Sequence, residues 1–196
     1  MTSHIDILEG IIENRRTVKP SEFSGEKIDD ALIEKILSSA NWAPTHGYTE
    51  PWRFTVFAED GLASLGDFYS KLDQPNPDAE DFNEMRFNKL RNRALCCSHV
   101  IGIGMKRGNN PKVPEIEELA SVAMAVQNIW LSAHAYGLSG YWSTGSLAFR
   151  DEMRDFFGLE EGDKSLGLFY LGKSASPHPK GRRISPIEEK TRWIKS

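Results

Sequence analysis

From Glu115 to Tyr136 the chain runs without a glycine or a proline, and after Leu119 its apolar side chains cover most of the helical circumference. A helix coated in that way has to be covered on several sides, which puts it at the centre of the fold or of an interface between two chains. Val122, Val126 and Ile129 are the expected centre of such an interface. Gly137 and Gly140 end the helix.

The elements around it alternate between helical and extended patterns. Ile5, Leu8, Ile11 and Ile12 recur at helical spacing up to Arg15 and Arg16, and Leu32, Ile33, Ile36, Leu37 and Ala40 form a second stripe after the cap candidates Asp29 and Asp30. Trp52 to Phe57, His99 to Met105, a short piece from Tyr141 to Gly145, and Leu166 to Leu171 read as strands. Residues 62–93 look helical but are broken at Gln74-Pro-Asn-Pro77, and the charge-dense stretch after the break suggests a mobile cover. The chain reads as a single domain over residues 1–196, with a polar, proline-containing tail from Ser174 that is expected to wrap over its own body or a partner.

Several functions are excluded by composition. With a net charge of −4 and no basic excess, the chain is a poor partner for nucleic acid. No stretch approaches the ~18 apolar residues of a membrane span, and the opening MTSHIDILEG is acidic where a secretory leader is basic. A cytoplasmic protein without a membrane partner is expected. The adjacent Cys96 and Cys97 suit two small buried residues at a strand start better than a disulfide. The histidines His4, His46, His99, His134 and His178 never fall at metal-ligand spacing, so no metal site is expected. Gly102-x-Gly104 lacks the third glycine of a dinucleotide fingerprint, and no Gly-x-Ser-x-Gly elbow is present.

Three segments carry the remaining chemistry. Arg15-Arg16-Thr17 puts two guanidiniums and a hydroxyl at a helix end, where they can either meet the helix dipole or grip a phosphate with forked hydrogen bonds. Ala43-Pro-Thr-His-Gly-Tyr-Thr-Glu-Pro-Trp52 holds His46 and Glu50 in a loop before a strand, and Gly140-Tyr-Trp-Ser-Thr-Gly145 is a strand-to-turn segment rich in small residues. In this order and spacing they resemble the nitroreductase family, especially its small single-domain members. A fourth stretch, Lys180 to Glu189, resembles the family's basic C-terminal segment.

The resemblance spans nearly the whole chain and implies the family's α+β fold, a mixed central β-sheet flanked by helices in an intertwined homodimer. It also implies a flavin mononucleotide (FMN) cofactor, with NADH or NADPH as electron donor and a small nitroaromatic, quinone or related acceptor. Arg15, Arg16, Thr17, His46, Glu50, Trp142, Ser143, Thr144 and either Arg182 or Arg183 are the implied cofactor contacts. No side chain is implied as a dedicated catalytic acid or base. Glu50 stands where the family more often has an amide, and an ionised carboxylate accepts hydrogen bonds but donates none. A dehalogenase or dehydrogenase of the same fold, or a flavin-binding protein without turnover, are the alternatives.

Overall fold

The computed structural model describes residues 3–177 and 180–195. His178, weighed above as a metal ligand, and Ser196, at the end of the tail, lie outside the described residues. Helix α1 (His4–Asn14) starts on a capping box in which the Ser3 hydroxyl accepts from the Asp6 amide and the Asp6 carboxylate accepts from the Ser3 amide. Helix α2 (Asp30–Ala40) is capped by Asp29, which accepts from the Ala31 amide at 2.8 Å. Strand β1 (Trp52–Ala58), helices α3 (Asp60–Asp73) and α4 (Glu84–Arg93), and strand β2 (His99–Met105) follow.

The long helix α5 (Glu115–Ala135) opens with Glu115, Glu117 and Glu118, where the helix dipole favours acidic side chains, and is stopped by Gly137 at a φ of 74°. Strand β3 (Ser139–Ser143), the short helix α6 (Asp151–Phe156) and strand β4 (Lys164–Gly172) complete the order.

The strands pair in the order β1-β2-β4-β3, and every pairing among them is antiparallel. The parallel component of the expected mixed sheet is narrow: an isolated bridge between Thr17 and Gly140. Helices α2 and α5 cover one face of the sheet, packing Ile36, Val126 and Ile129 on Ile101, Ile103 and Phe169. Helices α3 and α6 cover the other, packing Leu62, Leu65 and Met153 on Val100, Leu168 and Tyr170.

The buried residues of α5, from Glu118 through Val122, Val126 and Ile129 to Ala133, recur every three or four positions, and the apolar ones face this core. The sequence expectation that placed Val122, Val126 and Ile129 at a dimer interface is therefore corrected, because each is fully buried within its own chain. The large apolar residues that α5 leaves exposed are Ile116 and Met124.

Two further expectations change. The segment taken as a mobile cover begins with α3, whose Leu62, Leu65 and Tyr69 belong to the second core, and α4 packs on α3. Of the two cysteines, Cys97 is buried as expected but Cys96 is exposed, in a 3-10 turn before β2.

Candidate functional site

Helix α1 delivers its arginines to the edge of the sheet. After Asn14 the chain straightens, the Val18 amide donates to the Gly140 carbonyl at 3.1 Å, and Thr17 lies beside Gly140. The first and third segments singled out in the sequence are thereby neighbours. Gly140 is required there: a Cβ would sit 2.4 Å from the Phe169 ring, which meets Trp130 edge-on at 5.4 Å.

The Arg15 guanidinium stacks over Trp130, 4.4 Å from the ring centroid. Its Nη1 is buried and has no hydrogen-bond partner among the described residues. Burial, then the charges of Arg16 and Arg183, hold its pKa below the usual arginine value. Arg16 donates from Nη1 to the carbonyls of Glu13 and Arg15, and the tail passes so close that a Cβ on Gly181 would lie 2.1 Å from the Arg16 Nη2. The fourth segment thus joins the first within one chain. Of the two tail arginines left open by the sequence, Arg183 is the one whose charge acts on Arg15.

The buried Arg15 donor without a partner, beside the charges of Arg16 and Arg183, costs free energy unless an anion with several acceptor oxygens completes it. A phosphate has that chemistry, so these residues fit the phosphate end of FMN.

On the other side of Thr17 a cavity of about 470 Å³ opens between the chain after α1, the end of α4 and β3. Lys19, Lys89, Asn92, Arg93, Cys96 and Tyr141 are in its wall. Arg93 hydrogen-bonds the Tyr170 hydroxyl beneath it, and Tyr141 stacks on Tyr170 with centroids 6.0 Å apart. Sequence reasoning missed Lys19, Lys89 and Arg93. Lys19 was signalled by its place two residues beyond Thr17 on the same extended segment, whereas nothing local marks Lys89 or Arg93.

Strand β3 ends at Ser143, which is buried and paired with Leu168, and Thr144 and Gly145 follow as an exposed turn. The Trp142 indole donates to the Leu166 carbonyl at 3.1 Å and packs on the first core. Trp142 therefore fixes the turn with its side chain and has its backbone to offer a ligand.

The second segment lies elsewhere. His46 Nδ1 is 2.5 Å from the Glu117 carboxylate, in the first turn of α5, whereas Arg15 stacks on Trp130, thirteen residues further along the same helix. At 1.5 Å per residue the two groups are separated by roughly 20 Å along its axis.

The His46 loop is tightly shaped. Gly47, Tyr48 and Glu50 have φ of 60°, 53° and 41°, a left-handed backbone that is uncommon for tyrosine and glutamate. The loop rests on residues 108–113, themselves tied down by Arg107, which pairs with the buried Glu118 and donates to the Val113 carbonyl. Trp42 and Tyr48 stand nearly free of contact, 86% and 93% exposed. One chain thus presents the arginines and Thr17 at one end of α5, and His46 and Glu50 at the other.

Among the described residues no group of His, Cys, Asp or Glu has the arrangement of a metal site, and no helix is long and apolar enough to cross a membrane.

Comparison with known proteins identifies the family and the fold. The model of the Nitroreductase family matches residues 12–173. The chain is 30% identical over 171 residues, 86% of its own length and 88% of the relative's, to the Escherichia coli (strain K12) protein named "Putative NAD(P)H nitroreductase YdjA". Among solved structures, a nitroreductase-like family protein from Bacillus cereus superposes with a TM-score of 0.85 at 26% identity, covering all of both chains. A variant of NfnB, an FMN and NADPH-dependent nitroreductase of Sphigopyxis sp. strain HMH, shares the fold with a TM-score of 0.75 at 16% identity, covering 96% of this chain and 99% of that one.

Proposed function

The chain belongs to the nitroreductase family, and from that membership we propose that it is an FMN-dependent oxidoreductase drawing electrons from NADH or NADPH. When bound, FMN would supply the redox chemistry that links a nicotinamide donor to a nitroaromatic, a quinone or a related acceptor. The observation that carries this reading is the buried, partnerless Nη1 of Arg15 among the charges of Arg16 and Arg183, beside a cation-lined cavity.

The roles of the chain's own groups follow from their chemistry. Arg15, Arg16 and Arg183 grip the phosphate, with Thr17 available to the ribityl chain. The cavity, within the range of about 300–1,000 Å³ usual for small-ligand sites, receives the ring. Lys19 and Arg93 there offer positive charge to the reduced ring, and the backbone N–H groups of Thr144 and Gly145 add fixed dipoles. No side chain acts as a dedicated acid or base, because solvent supplies protons in an open site.

We assign His46 and Glu50 to the flavin of a second chain. A partner packed antiparallel along α5 would carry its His46 loop to this chain's Arg15 end, and this chain's loop to the partner's. The exposed apolar residues Ile116 and Met124 of α5, Trp42, and Ile184, Ile187 and Trp193 of the tail supply surface for such contact. The assembly is a homodimer with two shared sites, placed in the cytoplasm where NADH and NADPH are available.

Purified protein should be yellow with one FMN per chain, and anaerobic NADH or NADPH should bleach it; colourless protein that ignores added FMN would refute the reading. Sharing of the site is tested by mixing chains. Arg15→Ala and His46→Ala homodimers are each defective at both sites, but their heterodimer has one intact site if the site is shared. Refolding an equal mixture should therefore restore tight flavin sites. A mixture no better than its parents would place the whole site within one chain.

A further inference from the structure

The cavity beside Thr17 has a thiol in its wall. Cys96 is exposed there, and its Sγ has one neighbour at hydrogen-bonding distance, the Asn92 carbonyl oxygen at 3.6 Å. Cys97 differs: it is buried, and burial pushes its thiol far up from the usual cysteine range, leaving it inert. Around Cys96 stand Lys19, Lys89 and Arg93, none of which pairs with a carboxylate among the described residues, and the wall contains no acidic side chain. An accessible sulfur inside a ring of cations selects ligands that bring negative charge and an electrophilic sulfur together.

We propose that Cys96 is a modification site for small anionic disulfides, of which glutathione disulfide is the representative, and that the adduct fills the space needed by the flavin. The second half rests on the placement of the flavin ring in this cavity. In the exchange, the Cys96 sulfur attacks one sulfur of the disulfide. A new S–S bond forms as the old one breaks, the Cys96 proton passes to solvent, and the displaced half leaves as thiolate. An electron pair of Cys96 makes the new bond and the pair of the old bond departs with the displaced half, so the Cys96 sulfur is oxidised by one unit and the leaving sulfur reduced by one. Because Cys97 is buried, it cannot expel the attached group, and the adduct persists until an external thiol removes it. Oxidised thiol pools would then hold the protein in an FMN-free state that reduction reverses.

The experiment uses the full-length protein with and without saturating FMN, treated with glutathione disulfide, neutral hydroxyethyl disulfide and cationic cystamine. Adducts are read by intact mass, and FMN affinity by flavin fluorescence. One adduct is expected, at Cys96, absent from Cys96→Ser. It should form about tenfold faster with the anionic than with the cationic reagent, the lower end of electrostatic focusing, and more slowly when FMN is bound. The modified protein should lose at least about tenfold in FMN affinity and regain it with dithiothreitol, whereas the same treatment should leave the affinity of Cys96→Ser unchanged. No adduct, or equal rates with all three reagents, would overturn the proposal. So would an adduct that neither hinders FMN nor is hindered by it. In that last case Lys19→Met and Arg93→Met locate the error: if both bind FMN normally the ring lies outside the cavity, and if both are weakened the ring is there and Cys96 does not obstruct it.

Discussion

Replacing Arg15 by methionine should weaken FMN and leave riboflavin nearly untouched. The stacking of the Arg15 guanidinium on Trp130 at 4.4 Å is already made without ligand, so it cancels to first order between the free and bound states. What the bound state adds is the bond from the buried Nη1 to a phosphate oxygen. A hydrogen bond of this charged type is worth about 1.5–3 kcal/mol, or about 10- to 150-fold in affinity.

The ligand-free protein should respond in the opposite sense, because methionine removes a half-buried cation held close to Arg16 and Arg183 and keeps an unbranched chain against the indole. Its melting temperature should stay level or rise, while the increment gained on adding FMN shrinks. Arg15→Lys keeps the charge without the planar fork and should fall between the parent and the methionine variant. Titrating apoprotein with FMN and with riboflavin, followed by flavin fluorescence, measures the difference directly. Equal losses for both ligands would move Arg15 to the ring, and an unchanged FMN affinity would refute the phosphate assignment.

Three further outcomes are expected. Gly66→Ala should lower the melting temperature by an amount corresponding to about 1–3 kcal/mol, since its Cβ would lie 2.1 Å from the Arg91 carbonyl oxygen where α3 meets α4; a melting temperature equal to the parent's would mean that the two helices separate freely. Glu50→Gln should bind FMN at least as well as the parent and raise its reduction potential, because an anion near the reduced ring is removed and each 30 mV corresponds to about 1.4 kcal/mol; potentiometry showing a fall would mean that Glu50 does not face the flavin as an anion. The unfolding midpoint should rise with protein concentration, as association and folding are coupled in an obligate dimer. A midpoint that is constant over a hundredfold range of concentration would contradict this.

Elements whose residues repeat with a clear period could be read without coordinates. The α5 helix from Glu115 and the fully buried β2 are of this kind, as is Asp29 acting as an N-cap. Which way α5 turns its apolar sides was not legible, because an apolar surface looks the same whether a sheet or a partner covers it; Val126 and Ile129 go to the sheet. The segment after Asp60 misled because its charge is concentrated in α4, while α3 anchors to the core through Leu62 and Leu65. Arg15 and Arg16, proposed for the phosphate, were legible as a local pair. Arg93 was not, since only the antiparallel return of β2 and β4 brings it and Tyr141 to one cavity.

The thirteen-residue offset along α5 between Glu117 and Trp130 has a consequence for how chains of this architecture can vary in length. Deleting one residue there would draw the His46 end about 1.5 Å closer to the Arg15 end and turn it by about 100° about the helix axis. Both flavin sites of a dimer would then be out of phase at once. The connection at residues 74–83, which lies outside every helix and strand, imposes no such phase, so insertions and deletions should accumulate there and be absent from the middle of α5.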